Sequence, residues 1–190
     1  MEPHNDAVLI RQCLQGDNTV FDKLVKRYQR QVYTFCYHML GNYDDAVEAV
    51  QDTFVKAYYA LDRFRQDADF RCWLFRIASN TCIDVIRTRT RCRVQSIEDV
   101  DAVIDEIRDE KLSPEDESVQ AEERALLRHA VLGLSEWYRL SLVMFHFNGM
   151  SIKEISRALG RPEGTVKSDL HLAREMLRRR LEGIVKDHGL

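Results

Sequence analysis

Apolar positions recur along this chain at the three-to-four spacing of amphipathic helices, broken at a few well-marked places. Val20, Phe21, Leu24, Val25 and Tyr28 begin one helical run, which Val32, Phe35, Cys36, Met39 and Leu40 continue. Gly41-Asn42 interrupts it, and Asp44-Asp45 supply an acidic start that suits the positive end of a following helix. That helix carries Ala46, Val50, Phe54, Ala57 and Leu61 on one side. After a polar loop from Phe64 to Asp69, a further helical run extends from Phe70 to Ile86. From about residue 94 to 112 the period fades and acids dominate: Glu98, Asp99, Asp101, Asp105, Glu106, Asp109 and Glu110. Such a strip cannot bury enough apolar surface to order itself, so a flexible linker is expected there. Val100, Val103, Ile104 and Ile107 are apolar enough for a transient helix on a partner. Ser113-Pro114-Glu115-Asp116 announces a new helix, with Ser as cap, Pro at the first position and acids in the first turn. Ala125, Leu126, His129, Ala130, Leu132 and Leu134 follow, and Ser135 caps the next helix, with Leu140, Val143, Met144 and Phe147. The pattern predicts an all-α protein of two small helical domains, residues 1–93 and 113–190, joined by the acidic linker at 94–112.

The stretch from Gly149 to Ser168 reads as a helix-turn-helix. Ser151 and Glu154 form a capping box that satisfies orphan N–H groups at a helix start. Ile152, Ile155 and Leu159 lie on one face of that helix, and Gly160 can take the left-handed conformation that ends it. Pro162 suits the first turn of the second helix. In that helix Val166, Leu170, Ala173 and Leu177 face inward, leaving Thr165, Lys167, Ser168, His171 and Arg174 outward. A short helix, a tight turn and a second helix with a polar, partly basic face is the form that enters the major groove. An αα-hairpin with one solvated face is the plainer alternative.

Composition and charge sharpen this picture. With 45% hydrophobic residues, 8 Gly and 3 Pro, the chain favours helical cores over the turns of a β-sandwich. No apolar run of about 18 residues predicts a membrane span, and the N-terminus lacks the pattern of a secretion signal; a cytoplasmic protein without membrane insertion is expected. The five cysteines are odd in number and have no C-x-x-C spacing, which argues against a disulfide framework or zinc knuckle. Cys36, Cys72 and Cys82 sit among apolar residues, where a thiol acts as a small apolar group. No metal site, cofactor or catalytic residue is expected: histidines are scattered, and no nucleophile–base pair or glycine-rich phosphate loop is present. The net charge of −3 conceals a division. Residues 1–95 carry +2, residues 96–123 carry −10, and residues 124–190 carry +5. Two mildly basic ends are thus separated by an acid-rich connector, and the total hides the footprint that nucleic acid would meet.

Aromatic and arginine side chains interleave in residues 63–87: Phe64, Phe70, Trp73 and Phe75 with Arg63, Arg65, Arg71 and Arg76. Aromatic faces accept unstacked bases at about 1–3 kcal/mol per base while arginines hold the backbone, and a flipped base needs such a pocket to offset its lost stacking. Phe75, and Trp73 with it, fit equally well as core. Arg87 and Arg91, one turn apart with Arg89 and Arg93 nearby, make a basic end that suits phosphates or plain solvent. On the preceding helix, Glu48 with Gln51 and Asp52 share one face.

With these segments in order, the chain resembles bacterial RNA polymerase sigma factors of the extracytoplasmic-function (ECF, sigma-E-like) class over nearly its whole length. Residues 44–61 resemble the family's core-polymerase-docking region, 63–87 its promoter-melting and −10 region, and 134–178 its −35-reading region. The resemblance implies that Asp45, Glu48, Gln51, Asp52 and Phe54 meet a coiled coil of the polymerase's largest subunit. It assigns the −10 element to Lys56, Phe64, Phe70, Trp73, Arg76, Asn80 and Arg87. It assigns the −35 element to Thr165, Lys167, Ser168, His171 and Arg174. Core RNA polymerase, including its flap, promoter DNA and an anti-sigma factor are the implied partners, and the linker is expected to thread toward the polymerase's positively charged channel. Three departures stand out. Val47 replaces the family's usual acid, and Asp169 and Leu172 stand where relatives usually have basic residues, making the expected −35 surface less positive. Gly164 lets the backbone approach either a phosphate or the first helix. The alternative function is a stand-alone dimeric helix-turn-helix regulator with an N-terminal sensing domain; it would leave the aromatic–arginine segment unexplained and requires a dimer interface.

Overall fold

The computed structural model describes residues 4–65, 68–95 and 119–188. Among these the chain is all-helical: α1 (His4–Leu14), α2 (Phe21–Leu40), α3 (Tyr43–Tyr59), α4 (Phe70–Gln95), α5 (Val119–Leu132), α6 (Glu136–His146), α7 (Ile152–Leu159) and α8 (Glu163–His188), with short 3-10 turns at Asn18–Val20 and Leu61–Arg63. The acidic strip from residue 96 and the expected helix start at Ser113-Pro114 lie outside the described residues.

Helix α2 is one continuous element because its buried residues Leu24, Tyr28, Val32, Phe35, Cys36 and Met39 stay on one stripe for its whole length. It packs against α3 and α4. The short α1 is held to it by a buried acid: Asp6 pairs with Arg27 and accepts a hydrogen bond from the Tyr28 hydroxyl at 2.5 Å. Helix α2 stops at Gly41, whose φ of 75° lets its N–H reach the carbonyl of Tyr37. Asn42 then caps α3 by accepting from the Asp45 N–H at 3.0 Å. Asp69 caps α4 in the same manner through the Cys72 N–H, also at 3.0 Å.

Helices α6, α7 and α8 form the second module, with α5 beside α8. The Ser151–Glu154 capping box is fully formed, and Gly160 ends α7 in the left-handed conformation at φ 64°, as the sequence predicts. Ser156 fastens the turn: its carbonyl accepts from the Arg161 N–H at 3.1 Å and its hydroxyl donates to the Arg161 carbonyl at 2.6 Å. Ser135 occupies the N-cap position of α6, but its side chain makes no capping bond.

The four described cysteines with placed side chains, Cys13, Cys36, Cys72 and Cys82, are free and buried. Burial, reinforced by Asp69, pushes the Cys72 thiol up to about 12. A hydrogen bond with Cys36, then burial, raises Cys82. Cys72 and Cys82 therefore pack as small apolar thiols rather than as thiolates.

The two modules touch along α4 with α7 and along α2 with α5 and α6. Gly41 lies at this seam, where a Cβ would run into the Leu132 side chain of α5. Gly149 has a similar φ of 60° but open space around it. Gly41→Ala is therefore expected to lose about 1–2 kcal/mol to left-handed strain plus the displacement of Leu132. Gly149→Ala should lose the strain alone. Urea midpoints of the two variants check this, and equal losses would remove the contribution of the seam.

Candidate nucleic-acid interfaces

Helix α8 buries Val166, Leu170 and Ala173 against the second module and turns the opposite face to solvent. Lys167, Ser168, His171 and Arg174 are exposed and Thr165 is half-buried, so the expected residues do stand outside the core. They are not equally outward. Arg174 lies on the flank nearest α6, where its Nε donates to His146 Nε2 at 3.3 Å and its guanidinium sits 5.4 Å from the Phe145 ring centroid. Burial, followed by the Arg174 charge, lowers the His146 pKa, which favours the neutral ring that can accept this bond.

Asp169 does not stand on that outer face. It is only 6% exposed and faces inward, paired with Arg161 of the turn at 2.5 Å. Arg161 in turn lies 4.6 Å over the Trp137 ring of α6. The acid is thus paired beneath the helix and ties the turn to α8, and neither position 169 nor 172 adds a positive charge to the outer side. Leu172 does remain on the outer surface, 39% exposed.

In the first module, Trp73, Arg76, Asn80 and Arg87 fall on one stripe of α4, because spacings of three, four and seven return to the same face. Arg76, Asn80 and Arg87 are exposed, and Trp73 is half-buried at the edge. Phe64 and Phe70 are not on this surface. At 6% and 4% exposure they are core residues that support Trp73: Phe64 lies 5.1 Å and Phe70 5.5 Å from its ring, and Phe70 rests 5.6 Å from Tyr28. Phe75 is fully buried, edge-on to Phe35 at 5.4 Å. Lys56 joins α4 from the neighbouring helix, its Nζ donating to Thr81 Oγ1 at 3.1 Å. Arg71 departs from the series altogether, since it points away from the stripe and into the seam between modules.

On α3, Glu48, Gln51 and Asp52 are exposed on one stripe, with Asp45 half-exposed and paired to Arg89. Phe54 is buried and underlies this surface rather than forming it. Val47 is half-buried at its margin. The same stripe continues to Val55 and Tyr59, 53% and 78% exposed, which the sequence reading passed over. They rim an open groove of about 290 Å³ with Phe21, Phe54 and Tyr58. The available signal was the spacing of 52, 55 and 59, which puts two apolar side chains in line with an acidic face.

The seam itself is polar at its edges and aromatic within. Arg71 donates to the Asn148 carbonyl and pairs with Glu154 at 3.4 Å. Asn148 Nδ2 donates to the Gln31 carbonyl at 2.8 Å. Burial opposes ionisation of Glu154, but hydrogen bonds from Ser151 and the Arg71 charge outweigh it and hold the carboxyl below its ordinary range. His38 stacks on Phe147 at 3.7 Å, and burial with the nearby Arg128 charge lowers its pKa to about 4, so the ring is neutral at physiological pH. Arg128 also donates to the Tyr37 hydroxyl and lies 5.3 Å from its ring centroid. Arg139 donates to the Met39 carbonyl at 2.7 Å across the seam, and within its own module to the carbonyls of Leu132 and, at 2.9 Å, Leu134. No helix among the described residues is long and apolar enough to cross a membrane.

Comparison with known proteins follows the same division. Residues 24–92 match the family model for Sigma-70 region 2, and residues 124–177 match that for Sigma-70, region 4. The chain is 34% identical to the ECF RNA polymerase sigma factor SigW of Bacillus subtilis over 180 residues, covering 92% of this chain and 96% of that protein. It is 32% identical to the ECF RNA polymerase sigma-E factor of Escherichia coli K12 over 191 residues, covering 97% and 98%. Among solved structures, that of CnrH in complex with the cytosolic domain of CnrY superposes with a TM-score of 0.70 at 27% identity, covering 94% of this chain and 97% of CnrH.

Proposed function

The chain belongs to the ECF RNA polymerase sigma factors, and from that premise we propose how its surfaces divide the work of starting transcription. The α3 stripe of Glu48, Gln51 and Asp52, extended by Val55 and Tyr59, docks on core RNA polymerase. The α4 stripe of Trp73, Arg76, Asn80 and Arg87, with Lys56 beside it, receives the melted −10 strand: the indole stacks on an unpaired base while the cations hold phosphates. Phe64 and Phe70 position Trp73 from below. Thr165, Lys167, Ser168 and His171 of α8 enter the major groove at the −35 element, with Arg174 at its rim.

The observation that carries this reading is the pairing of two outward polar stripes, on α4 and α8, with helices whose inner faces are committed to the core. The chain works in the cytoplasm with the polymerase and needs no chemistry of its own. It offers only +2 and +5 of charge against an intervening −10, which supports weak binding of free protein to promoter DNA.

The closed seam supports control by an anti-sigma factor. Promoter elements centred about 10 and 35 base pairs upstream lie on the order of 80 Å apart at about 3.4 Å per base pair. Modules that touch along α4 and α7 cannot occupy both, so engagement requires the seam to part. A partner protein that favours the closed form would silence the factor by the difference in its affinity for the two forms.

Run-off transcription with purified core polymerase tests the assignment. Wild type is expected to direct a discrete transcript. Lys167→Ala with Arg174→Ala should lower promoter use and leave polymerase binding intact, while Gln51→Ala with Asp52→Ala should do the reverse. Loss at the same step in both pairs, or tight promoter binding without polymerase, would overturn this division.

A further inference from the structure

The outward-facing line of exposed residues on α8 includes Gly164, Lys167, Ser168, His171 and Leu172. One member of this line is apolar. Leu172 is 39% exposed, while Asp169, one turn before it, is buried and paired with Arg161. A base-reading face meets a groove edge made of hydrogen-bond donors and acceptors, to which an isobutyl group offers nothing. Covering those groups with Leu would leave them unpaired. The one apolar feature in the major groove is the C5-methyl group of thymine.

We propose that Leu172 is a specificity-determining residue of the −35 interface, packing against a thymine methyl and so selecting a T·A pair at the position beneath it. This rests on the reading of α8 as the −35 helix and adds to it the chemistry of one base pair. Met176, one turn further and 43% exposed, extends the apolar strip away from the N-terminal half of α8 that reaches base edges. Were the strip instead a seat for a protein partner, DNA methyl groups would be irrelevant to it.

The test uses holoenzyme assembled from core polymerase and a template on which it initiates. Each thymine of the −35 element, on either strand, is replaced singly by deoxyuridine, which removes the methyl and leaves base pairing unchanged. For wild type, one such template is expected to lose about four-fold in initiation, the value of one buried methyl group. Leu172→Ala should lose a comparable factor on the thymine template and show no further loss with deoxyuridine. Leu172→Met, which keeps an apolar contact, should retain the sensitivity. The proposal is overturned if every deoxyuridine template matches its thymine parent in wild type, or if the loss persists unchanged in Leu172→Ala. Weakened partner binding by Leu172→Ala without any methyl effect would overturn it equally. Absence of a transcript from wild type on unmodified DNA is a different failure, and strikes the sigma-factor assignment of α8 instead.

Discussion

Replacing Arg139 with alanine is expected to lower the unfolding free energy by about 3 kcal/mol and to let the two modules separate. Its guanidinium serves three carbonyls at once: Met39 near the end of α2, Leu132 at the end of α5 and Leu134 in the loop that follows. The last carbonyls of a helix have no partner within it, and a cation at that end also complements the helix dipole. Burial lowers the Arg139 pKa to about 10, so the side chain still carries its charge at physiological pH. Alanine removes every donor together and leaves partly buried acceptors unpaired, each worth about 1–3 kcal/mol where water does not reach it. Lysine should restore only part of the loss, because an ammonium on a flexible stem cannot reproduce the planar fork. Urea titration gives the stability, and the radius of gyration from solution scattering gives the separation. An unchanged radius with a midpoint near wild type would show that Arg139 does not hold the seam.

The second large effect is expected at Trp73. Loss of a stacking platform is worth about 1–3 kcal/mol per base, so Trp73→Ala should reduce initiation on duplex promoter by roughly 5- to 150-fold. Trp73 also touches Phe64 and Phe70, so part of any loss could come from the core. Trp73→Phe separates the two contributions: it keeps an aromatic ring over the cluster while shrinking the stacking face, and should fall between wild type and alanine. A template mismatched across the −10 element, whose bases are already unpaired, should recover much of the defect. Initiation within two-fold of wild type by a folded Trp73→Ala protein would refute the assignment.

Much of the architecture could be read from local rules. The Ser151–Glu154 box, the stop at Gly160 and the outward set on α8 depend on residues within a turn or two of one another, and all are present. The same rules could not sort aromatic residues by role. Phe64 and Phe70 have the side chains that stack on bases, but they also have the side chains that fill a core, and Tyr28 on a helix far away in sequence draws in Phe70, against which Phe64 packs. The burial of Asp169 escapes local rules for a related reason. Its position on the helical wheel is marginal, and only Arg161 across the turn draws it inward. The seam was beyond reach from sequence, since Arg71 meets Asn148 77 residues away and Arg139 meets Met39 100 residues away. No periodicity encodes contacts at that separation.

The inward turn of Asp169 has a consequence for how such a protein changes its targets. The acid and Arg161, with Trp137 of α6 against the guanidinium, brace the helix-turn-helix from the side opposite the exposed Lys167, Ser168, His171 and Leu172. Substitutions among those four cost the scaffold little, since exposed sites away from special contacts usually shift stability by no more than about 0.5 kcal/mol. On the −35 role proposed for these side chains, a lineage redirects the factor to a new set of genes one letter at a time, without passing through an unfolded ancestor.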